Sequence, residues 1–230
     1  MTLDVRLKLL ELTHDRPSLS LEELDVLPKV GLDEALVALS EDGLVAFSDG
    51  LLTMDGRQRV MLAERLIHSG VDPKRVSRFL RWQEFENFAL GILSENGFST
   101  RKHLVFKSSA GRREIDILAW NHTFMFAVDC KHWLRGLSSG RIKEAAQAQV
   151  GRVAALAERL ELLHRMKVPH PEGRTIIPVI LSLGEFRHRL IDGVPIVSVS
   201  RLLSFIYGVS PIDANLKRVR LDSSSQSRLQ

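Results

Sequence analysis

The chain has 230 residues and a formal net charge of +4, from 32 Lys and Arg against 28 Asp and Glu. A hydrophobic content of 44% with 26% charged residues is ordinary for a globular protein and excludes disorder over the whole chain. The single cysteine, Cys130, excludes a disulfide framework and any zinc site built from several cysteines. The sequence shows neither an apolar run of membrane-helix length nor a secretory pattern, so we expect a cytoplasmic protein without membrane attachment.

The charge is unevenly distributed along the chain. Residues 1–70 carry 7 basic and 13 acidic side chains, a balance of −6, and the remaining 160 residues carry 25 and 15, a balance of +10. Gly70, followed closely by Pro73, is typical of a boundary between a helix end and a helix start. We therefore predict an acidic domain at residues 1–70, a basic domain at 71–210 and a polar C-terminal tail at 211–230.

The acidic domain has the pattern of a small helical module with one hairpin. Ser20 and Glu23 form a capping-box pattern at the start of the second helix, and Asp49-Gly50 between two apolar runs predicts a tight turn. The predicted elements are helices at residues 3–12, 20–27, 32–41 and 55–69 and a hairpin at 44–54.

This order of elements resembles the winged-helix fold, in which the third helix usually enters the major groove of DNA. Here the third helix carries Asp33, Glu34 and Glu41 and no Lys or Arg, although a phosphate-binding surface should be basic. The resemblance implies a winged-helix-like domain, and its charge favours docking of a protein partner or dimerisation over reading DNA.

The basic domain alternates helices and strands in a pattern typical of a mixed α/β sheet with helices on both faces. Several of its strands are apolar on both faces, which indicates burial in the centre of a sheet. The predicted elements are helices at 73–96, 141–166 and 201–207 and strands at 98–107, 114–120, 123–133, 175–183 and 195–198.

Acidic and basic side chains coincide at one end of two of these strands. Side chains alternate faces along a strand, so Asp129 and Lys131 point the same way from the end of an apolar strand. A hairpin around Asn121-His122 would bring Asp116 of the preceding strand to the same end. Two carboxylates suit Mg²⁺, and a neighbouring lysine can orient the attacking water and stabilise negative charge. The alternative is an ordinary salt bridge at the end of a strand.

Asp116, followed after twelve residues by Asp129-x-Lys131, resembles the motif of the PD-(D/E)XK nuclease superfamily. The upstream segment FENFALGILSENGF, in which Glu86 precedes Gly97 by eleven residues, is similar to Holliday-junction resolvases and type IV restriction endonucleases. The resemblance implies a restriction-endonuclease-like α/β fold and metal-dependent hydrolysis of phosphodiester bonds in DNA. It implies that Glu86, Asp116 and Asp129 hold Mg²⁺ or Mn²⁺ and that Lys131 positions the attacking water.

The same resemblance implies a catalytic glutamine on the helix after the lysine. Gln147 and Gln149 are both present there, and we favour Gln147 because we expect it to lie nearer the face that packs on the sheet. The sequence departs from the family pattern at Ile115, where a proline is common, and at Asp129, where many relatives carry glutamate. Neither departure removes a catalytic group.

Basic side chains flank the proposed site and could contact phosphates, which contributes affinity without sequence information. Two other functions stay open: a catalytically silent DNA-binding module that recruits a partner, and an RNA-processing nuclease on the same fold. A homodimer and a protein partner bound by the acidic domain are further hypotheses. The expected nucleic-acid contacts are Arg101, Lys102, Lys107, Arg112, Arg113, His132, Arg135, Arg141 and Lys143.

Overall fold

The structure, a computed structural model, describes residues 2–72, 75–76, 78–109, 111–131, 133, 138–186 and 189–221. The chain forms two compact units, Met1–Phe88 and Ala89–Gln230, so the first unit continues past the boundary predicted at Gly70. Among the described residues, none of the helices has the length and apolar character needed to cross a membrane.

The first unit contains a small antiparallel sheet with helices before and after it. Its elements are α1 (Thr2–Leu12), β1 (Ser18–Ser20), a 3₁₀ helix (Glu22–Val26), α2 (Leu32–Glu41), β2 (Ala46–Ser48), β3 (Leu51–Thr53) and α3 (Gly56–His68). The three strands pair in the order β1-β3-β2. Asp49 and Gly50 both have positive φ, 51° and 73°, which is the backbone geometry that the hairpin prediction requires. The predicted second helix is a single 3₁₀ segment, and β1 was missed.

A buried arginine organises the core of this unit. Arg59 of α3 is 2% exposed, and its Nε donates to Glu84 Oε1 at 2.9 Å while Nη1 donates to the carbonyl of Leu10 at 2.9 Å. Its guanidinium also donates to Thr13 Oγ1 and to the carbonyl of Phe79. Burial lowers the pKa of Arg59, and the Glu84 carboxylate opposes that shift. The Arg59 side chain therefore connects α3 to the end of α1 and to the chain around Phe79, which follows α3.

The helix predicted over residues 73–96 is wrong in its first part. The helix α4 spans only Trp82–Glu95, and residues 78–81 before it are not helical. The carbonyl of Phe79 accepts from Arg59 and lies 3.0 Å from His14 Nδ1, so long-range contacts hold this turn. Glu84 Oε2 accepts the backbone N–H of Arg81 at 3.0 Å, which caps the start of α4. Residues 73, 74 and 77 lie outside the described part of the chain.

The second unit is a mixed α/β sheet flanked by helices, which confirms the predicted fold class at this level. Its elements are β4 (Ser99–Ser108), β5 (Gly111–Trp120), β6 (Met125–Lys131), α5 (Ser139–Ala157), α6 (Leu160–Arg165), β7 (Thr175–Ser182), β8 (Leu190–Ile191), β9 (Val194–Ser198), a 3₁₀ helix (Val199–Arg201), α7 (Leu202–Gly208) and β10 (Val219–Arg220).

The described strands of this unit pair in the order β4-β5-β6-β7-β9-β8, and β10 pairs with β7. The β4, β5 and β6 strands are antiparallel neighbours, whereas β6, β7 and β9 run parallel. Helix α5 packs Val153 and Leu156 against Leu118, Trp120 and Ala127 of the sheet. A second cluster joins Ile142 and Ala146 of α5 to Ile180, Val194 and Ile196. The parallel strands β6, β7 and β9 stop at the same end of the sheet, at Lys131, Ser182 and Ser198.

Two further predictions about this unit are wrong. The helix predicted over 141–166 is two helices, because α5 ends at Ala157 and the backbone at Arg159 (φ −120°, ψ 51°) is not helical. Residues 211–221 are not a polar tail, because Val219 and Arg220 pair with β7 and Leu221 is buried. Residues 222–230 lie outside the described part of the chain.

Candidate active site

The candidate site lies where β5 and β6 stop pairing. The two strands pair from Trp120–Met125 to Ile117–Val128, and the next residues in the same register are Asp116 and Asp129. In the parallel part of the sheet, Asp129 is opposite Ile180 and Lys131 is opposite Ser182, at the last residues of β6 and β7. Ligands of open α/β sheets commonly bind at the carboxyl ends of parallel strands.

The Asp116 side chain is hydrogen-bonded to the backbone of β6. Its Oδ2 accepts the backbone N–H of Cys130 at 2.7 Å, in a half-buried position. Cys130 lies between Asp129 and Lys131, so this hydrogen bond fixes Asp116 beside both residues. The hairpin that turns at Asn121 therefore brings Asp116, Asp129 and Lys131 to one end of the sheet.

Asp129 is a buried carboxylate with two cationic neighbours. Only 4% of the residue is exposed, and Lys131 Nζ lies 3.0 Å from each of its oxygens and donates to Oδ1. Arg152 of α5 places Nη1 3.1 Å from Oδ1. Among the described residues, no group donates a hydrogen bond to Oδ2. Because a buried charge is costly unless it is paired, these two cations stabilise the ionised carboxylate.

The glutamine that reaches the sheet is Gln149, so the expectation that Gln147 faces it is wrong. Gln149 is fully buried, and its Nε2 donates to the carbonyl of Ala127 at 2.8 Å. Gln147 is exposed. The buried stripe of α5 runs through Ile142, Ala146, Gln149, Val153 and Leu156, spaced three and four residues apart.

Arg152 was missed by the sequence analysis. Its Nη1 donates to Gln149 Oε1 at 2.9 Å as well as contacting Asp129. Gln149 and Arg152 are three residues apart on one helix, a spacing that brings side chains together. That spacing was the available signal, but it does not show that the pair faces Asp129.

Glu86 lies in the first compact unit, whereas Asp116, Asp129 and Lys131 lie in the second. Its side chain is buried, and Oε1 accepts a hydrogen bond from Trp82 Nε1 one turn earlier on α4. Glu84, the other carboxylate of this turn, is bound to Arg59. The role of Glu86 as a metal ligand stays a prediction.

The β4–β5 pairing is also interrupted beside Asp116. Lys102 pairs with Ile117 and Leu104 with Ile115, but His103, between them, has a φ of 50°. A positive φ is uncommon for a residue with a side chain, and such strain often accompanies functional sites. His103 Nδ1 lies 2.9 Å from Glu114 Oε1 on β5. This positive φ lies beside Asp116, because His103 and Asp116 are opposite each other in the β4–β5 register.

The predicted nucleic-acid contacts that the structure describes all belong to the second unit. Arg101, Lys107 and Arg112 are exposed on the β4–β5 hairpin, and Lys102 and Arg113 are half-buried there. On α5, Arg141 and Lys143 are exposed, and Lys143 Nζ lies 3.4 Å from Asp192 Oδ2. His132 and Arg135 lie outside the described residues.

A divalent cation such as Mg²⁺ needs oxygen ligands, which carboxylate side chains can supply. Within the described ranges, no group of three or more His, Cys, Asp and Glu side chains is placed to hold a metal ion. Mg²⁺ commonly takes only one or two protein carboxylates and completes its shell with water and substrate phosphate oxygens. Asp116 and Asp129, with the buried Oδ2 of Asp129, fit that smaller requirement.

No family model matches the sequence, but the chain is similar to several known proteins. An uncharacterised protein of Archaeoglobus fulgidus is 29% identical over 130 residues, which cover 55% of this chain and 90% of that protein. The crystal structure of AF1548, a protein of unknown function, aligns over 53% of this chain with 14% identity and a TM-score of 0.30. The structure of protein VC1899 from Vibrio cholerae aligns over 90% of this chain with 13% identity and a TM-score of 0.38. This chain covers about half of each solved structure, 52% and 50%.

Proposed function

We propose that this protein is a divalent-metal-dependent DNA endonuclease with a restriction-endonuclease-like catalytic domain. The observation that carries the proposal is the position of Asp116, which is hydrogen-bonded to the backbone between Asp129 and Lys131. Two carboxylates and a lysine at the open end of an antiparallel pair are the groups that the PD-(D/E)XK motif requires. The positive φ of His103, opposite Asp116 in the β4–β5 register, supports a functional role for this position.

Each residue of the site has a distinct part in the proposed reaction. Asp116 and Asp129 would hold Mg²⁺ or Mn²⁺, which would supply Lewis-acid stabilisation of a phosphate oxygen. The Lys131 side chain is 27% exposed, and the ion pair with Asp129 holds its ammonium at the end of β6. It would orient the attacking water and donate a hydrogen bond to the negative charge that develops on the phosphate.

The two units would bind different partners, DNA by the second unit and a protein by the first. Exposed arginines and lysines on the β4–β5 hairpin support DNA contacts by the second unit. The order of elements in the first unit supports a winged-helix-like fold, but its α2 exposes Asp33, Glu34 and Glu41. A surface with this charge repels phosphates, so we propose that the first unit docks a basic protein surface and does not read DNA.

The test is a substrate panel. The protein is incubated with plasmid, single-stranded, junction-containing and RNA substrates, with Mn²⁺ or with a chelator, beside Asp116→Asn and the control Glu144→Gln. Glu144 is an exposed carboxylate of α5. Cleavage of DNA that requires Mn²⁺, survives Glu144→Gln and is lost in Asp116→Asn supports the proposal. Cleavage of RNA alone would assign the RNA-processing function instead. Light scattering on the same samples tests the homodimer hypothesis.

One observation favours the second candidate, a silent DNA-binding module. Lys131 and Arg152 already compensate the charge of Asp129, so the carboxylate is stable without a metal. Such a module would bind DNA in the presence of chelator and cut no substrate of the panel. That result would contradict the nuclease proposal.

A further inference from the structure

We infer that Arg152 is the resident counter-cation of Asp129, a positioning residue that a divalent metal must displace from the carboxylate. The inference rests on the proposed function, because it assigns Arg152 a role at the same metal site. Its consequence is that Arg152 weakens metal binding by this protein.

One nitrogen of Arg152 contacts both Gln149 and Asp129. Nη1 donates to Gln149 Oε1 at 2.9 Å and lies 3.1 Å from Asp129 Oδ1. The Arg152 side chain is 28% exposed, whereas the Asp129 side chain is 5% exposed. Arg152 is therefore the partner in this pair that is in contact with solvent, and its side chain can move away from Asp129 into solvent.

Gln149 anchors this arrangement to the strand that carries Asp129. Its amide is fully buried, donating to the Ala127 carbonyl at 2.8 Å and accepting from Arg152. Buried amides are stable only when they are hydrogen-bonded, so both contacts hold Gln149 in one orientation. The connections run from Ala127 through Gln149 and Arg152 to Asp129 and join one turn of α5 to the end of β6.

A bound metal ion and Arg152 would repel each other, because both are positively charged. A divalent ion bound to Asp129 would lie close to Lys131 and to Arg152, and like charges in a poorly solvated site repel strongly. Lys131 has a part in the proposed chemistry, whereas Arg152 has none and its half-buried side chain can move away from Asp129. Arg152 therefore stabilises Asp129 before the metal binds and competes with the metal for the negative charge of this carboxylate.

Binding of Mn²⁺ to the full-length protein, measured by electron paramagnetic resonance or calorimetry without DNA, tests this directly. We expect Arg152→Gln to lower the Kd for Mn²⁺ by about tenfold, because a competing positive charge is removed. The matched control is Arg165→Gln, which removes the same charge from an exposed position on α6 and should change the Kd less than about twofold. An unchanged or raised Kd in Arg152→Gln would overturn the inference.

Thermal unfolding gives a second readout that a structural role alone would not move. Arg152→Gln should lower the Tm of the metal-free protein, and saturating Mn²⁺ should raise its Tm by more than it raises that of the wild type. An equal rise in both proteins contradicts the inference. If Arg152→Gln does not fold, Gln149→Met removes the anchor of Arg152 without changing charge and should lower the Kd for Mn²⁺ about threefold.

Asp129→Asn separates the two proposals. If the wild type binds no Mn²⁺, or binds it equally well after Asp129→Asn, the metal site and the inference both fail. If the wild type binds Mn²⁺ through Asp129 but neither Arg152→Gln nor Gln149→Met binds it more tightly, only the role of Arg152 fails.

Discussion

Asp116 Oδ2 accepts the backbone N–H of Cys130 at 2.7 Å, so a side chain completes the β5–β6 ladder where a carbonyl would ordinarily do so. Asp116 therefore has a structural role in the sheet and, in the proposed reaction, a second role as a metal ligand. The two can be separated because an amide oxygen accepts a hydrogen bond as a carboxylate does but carries no charge.

Asp116→Asn and Asp116→Ala are expected to differ in stability but not in activity. Both remove the negative charge, so both should lower the rate of Mn²⁺-dependent DNA cleavage by about 10²-fold or more. Only Asp116→Ala leaves the Cys130 N–H without its acceptor, which should cost about 1–3 kcal/mol in the free energy of unfolding. Cleavage assays and urea denaturation measure the two effects. Wild-type cleavage by Asp116→Asn would refute the role of this carboxylate.

DNA affinity should depend on the tip of the β4–β5 hairpin. Lys107 and Arg112 are opposite each other in the register and are both exposed. Each phosphate contact that is removed lowers the slope of log K against log salt by about 0.9. Lys107→Gln and Arg112→Gln should therefore weaken binding at low salt and flatten this slope, as measured by fluorescence anisotropy in chelator. An unchanged slope in both variants would exclude this hairpin from the DNA interface.

Substitutions on α2 provide the opposite control. Asp33→Asn and Glu34→Gln remove negative charges from exposed positions of this helix. If α2 lay against DNA, losing these charges would strengthen binding, because phosphate repulsion would fall. We expect an unchanged DNA affinity, as required if the first unit docks a protein. Tighter DNA binding by either variant would place α2 at the DNA.

Local turn and strand signals were sufficient for much of the fold. The Asp49-Gly50 hairpin was predictable because both residues tolerate positive φ, and β5 and β6 because their side chains alternate around a turn at Asn121. The helix predicted from residue 73 failed because the carbonyl of Phe79 is bound by Arg59, which is 20 residues away in sequence. A contact of that range leaves no periodic signal.

In the candidate site, too, local features were predictable from the sequence and long-range contacts were not. The approach of Asp116 to Asp129 follows from a hairpin and strand alternation, which are local properties. The choice between Gln147 and Gln149 depends on which residues of α5 face the sheet, and a shift of two residues reverses the answer. Arg152 contacts Asp129 across two elements, and a single sequence does not encode that pairing in a readable pattern.

Arg59→Met is expected to destabilise the first unit strongly. The substitution keeps much of the side-chain volume but leaves the Glu84 carboxylate and the Leu10 and Phe79 carbonyls without the donor they now have. Removing one partner of a buried ion pair costs about 3–5 kcal/mol in the free energy of unfolding. Urea denaturation followed by circular dichroism measures the loss.

The double variant Arg59→Met, Glu84→Gln shows how much of that cost is electrostatic. Because it also removes the uncompensated charge, it should be more stable than Arg59→Met alone. Arg59→Lys should not restore the wild-type value, because one ammonium cannot reach acceptors on three segments. A stability of Arg59→Met within about 1 kcal/mol of the wild type would contradict the organising role of Arg59.

Glu64 of α3 should make stability depend on pH with a predictable sign. Burial raises the pKa of the Glu64 carboxyl, and the neighbouring His68 and Arg65 only partly oppose this shift. The folded protein therefore favours the protonated form, so the contribution of this group is fully present at acidic pH and is lost as the pH rises through the raised pKa. Glu64→Gln mimics the protonated form at every pH. It should unfold at a higher temperature than the wild type at pH 8, and the difference should vanish near pH 4. Thermal melts across this range measure the effect, with Glu22→Gln as the control because Glu22 is exposed. A gain in Tm that is larger at pH 4 than at pH 8 would reverse the sign and refute the prediction.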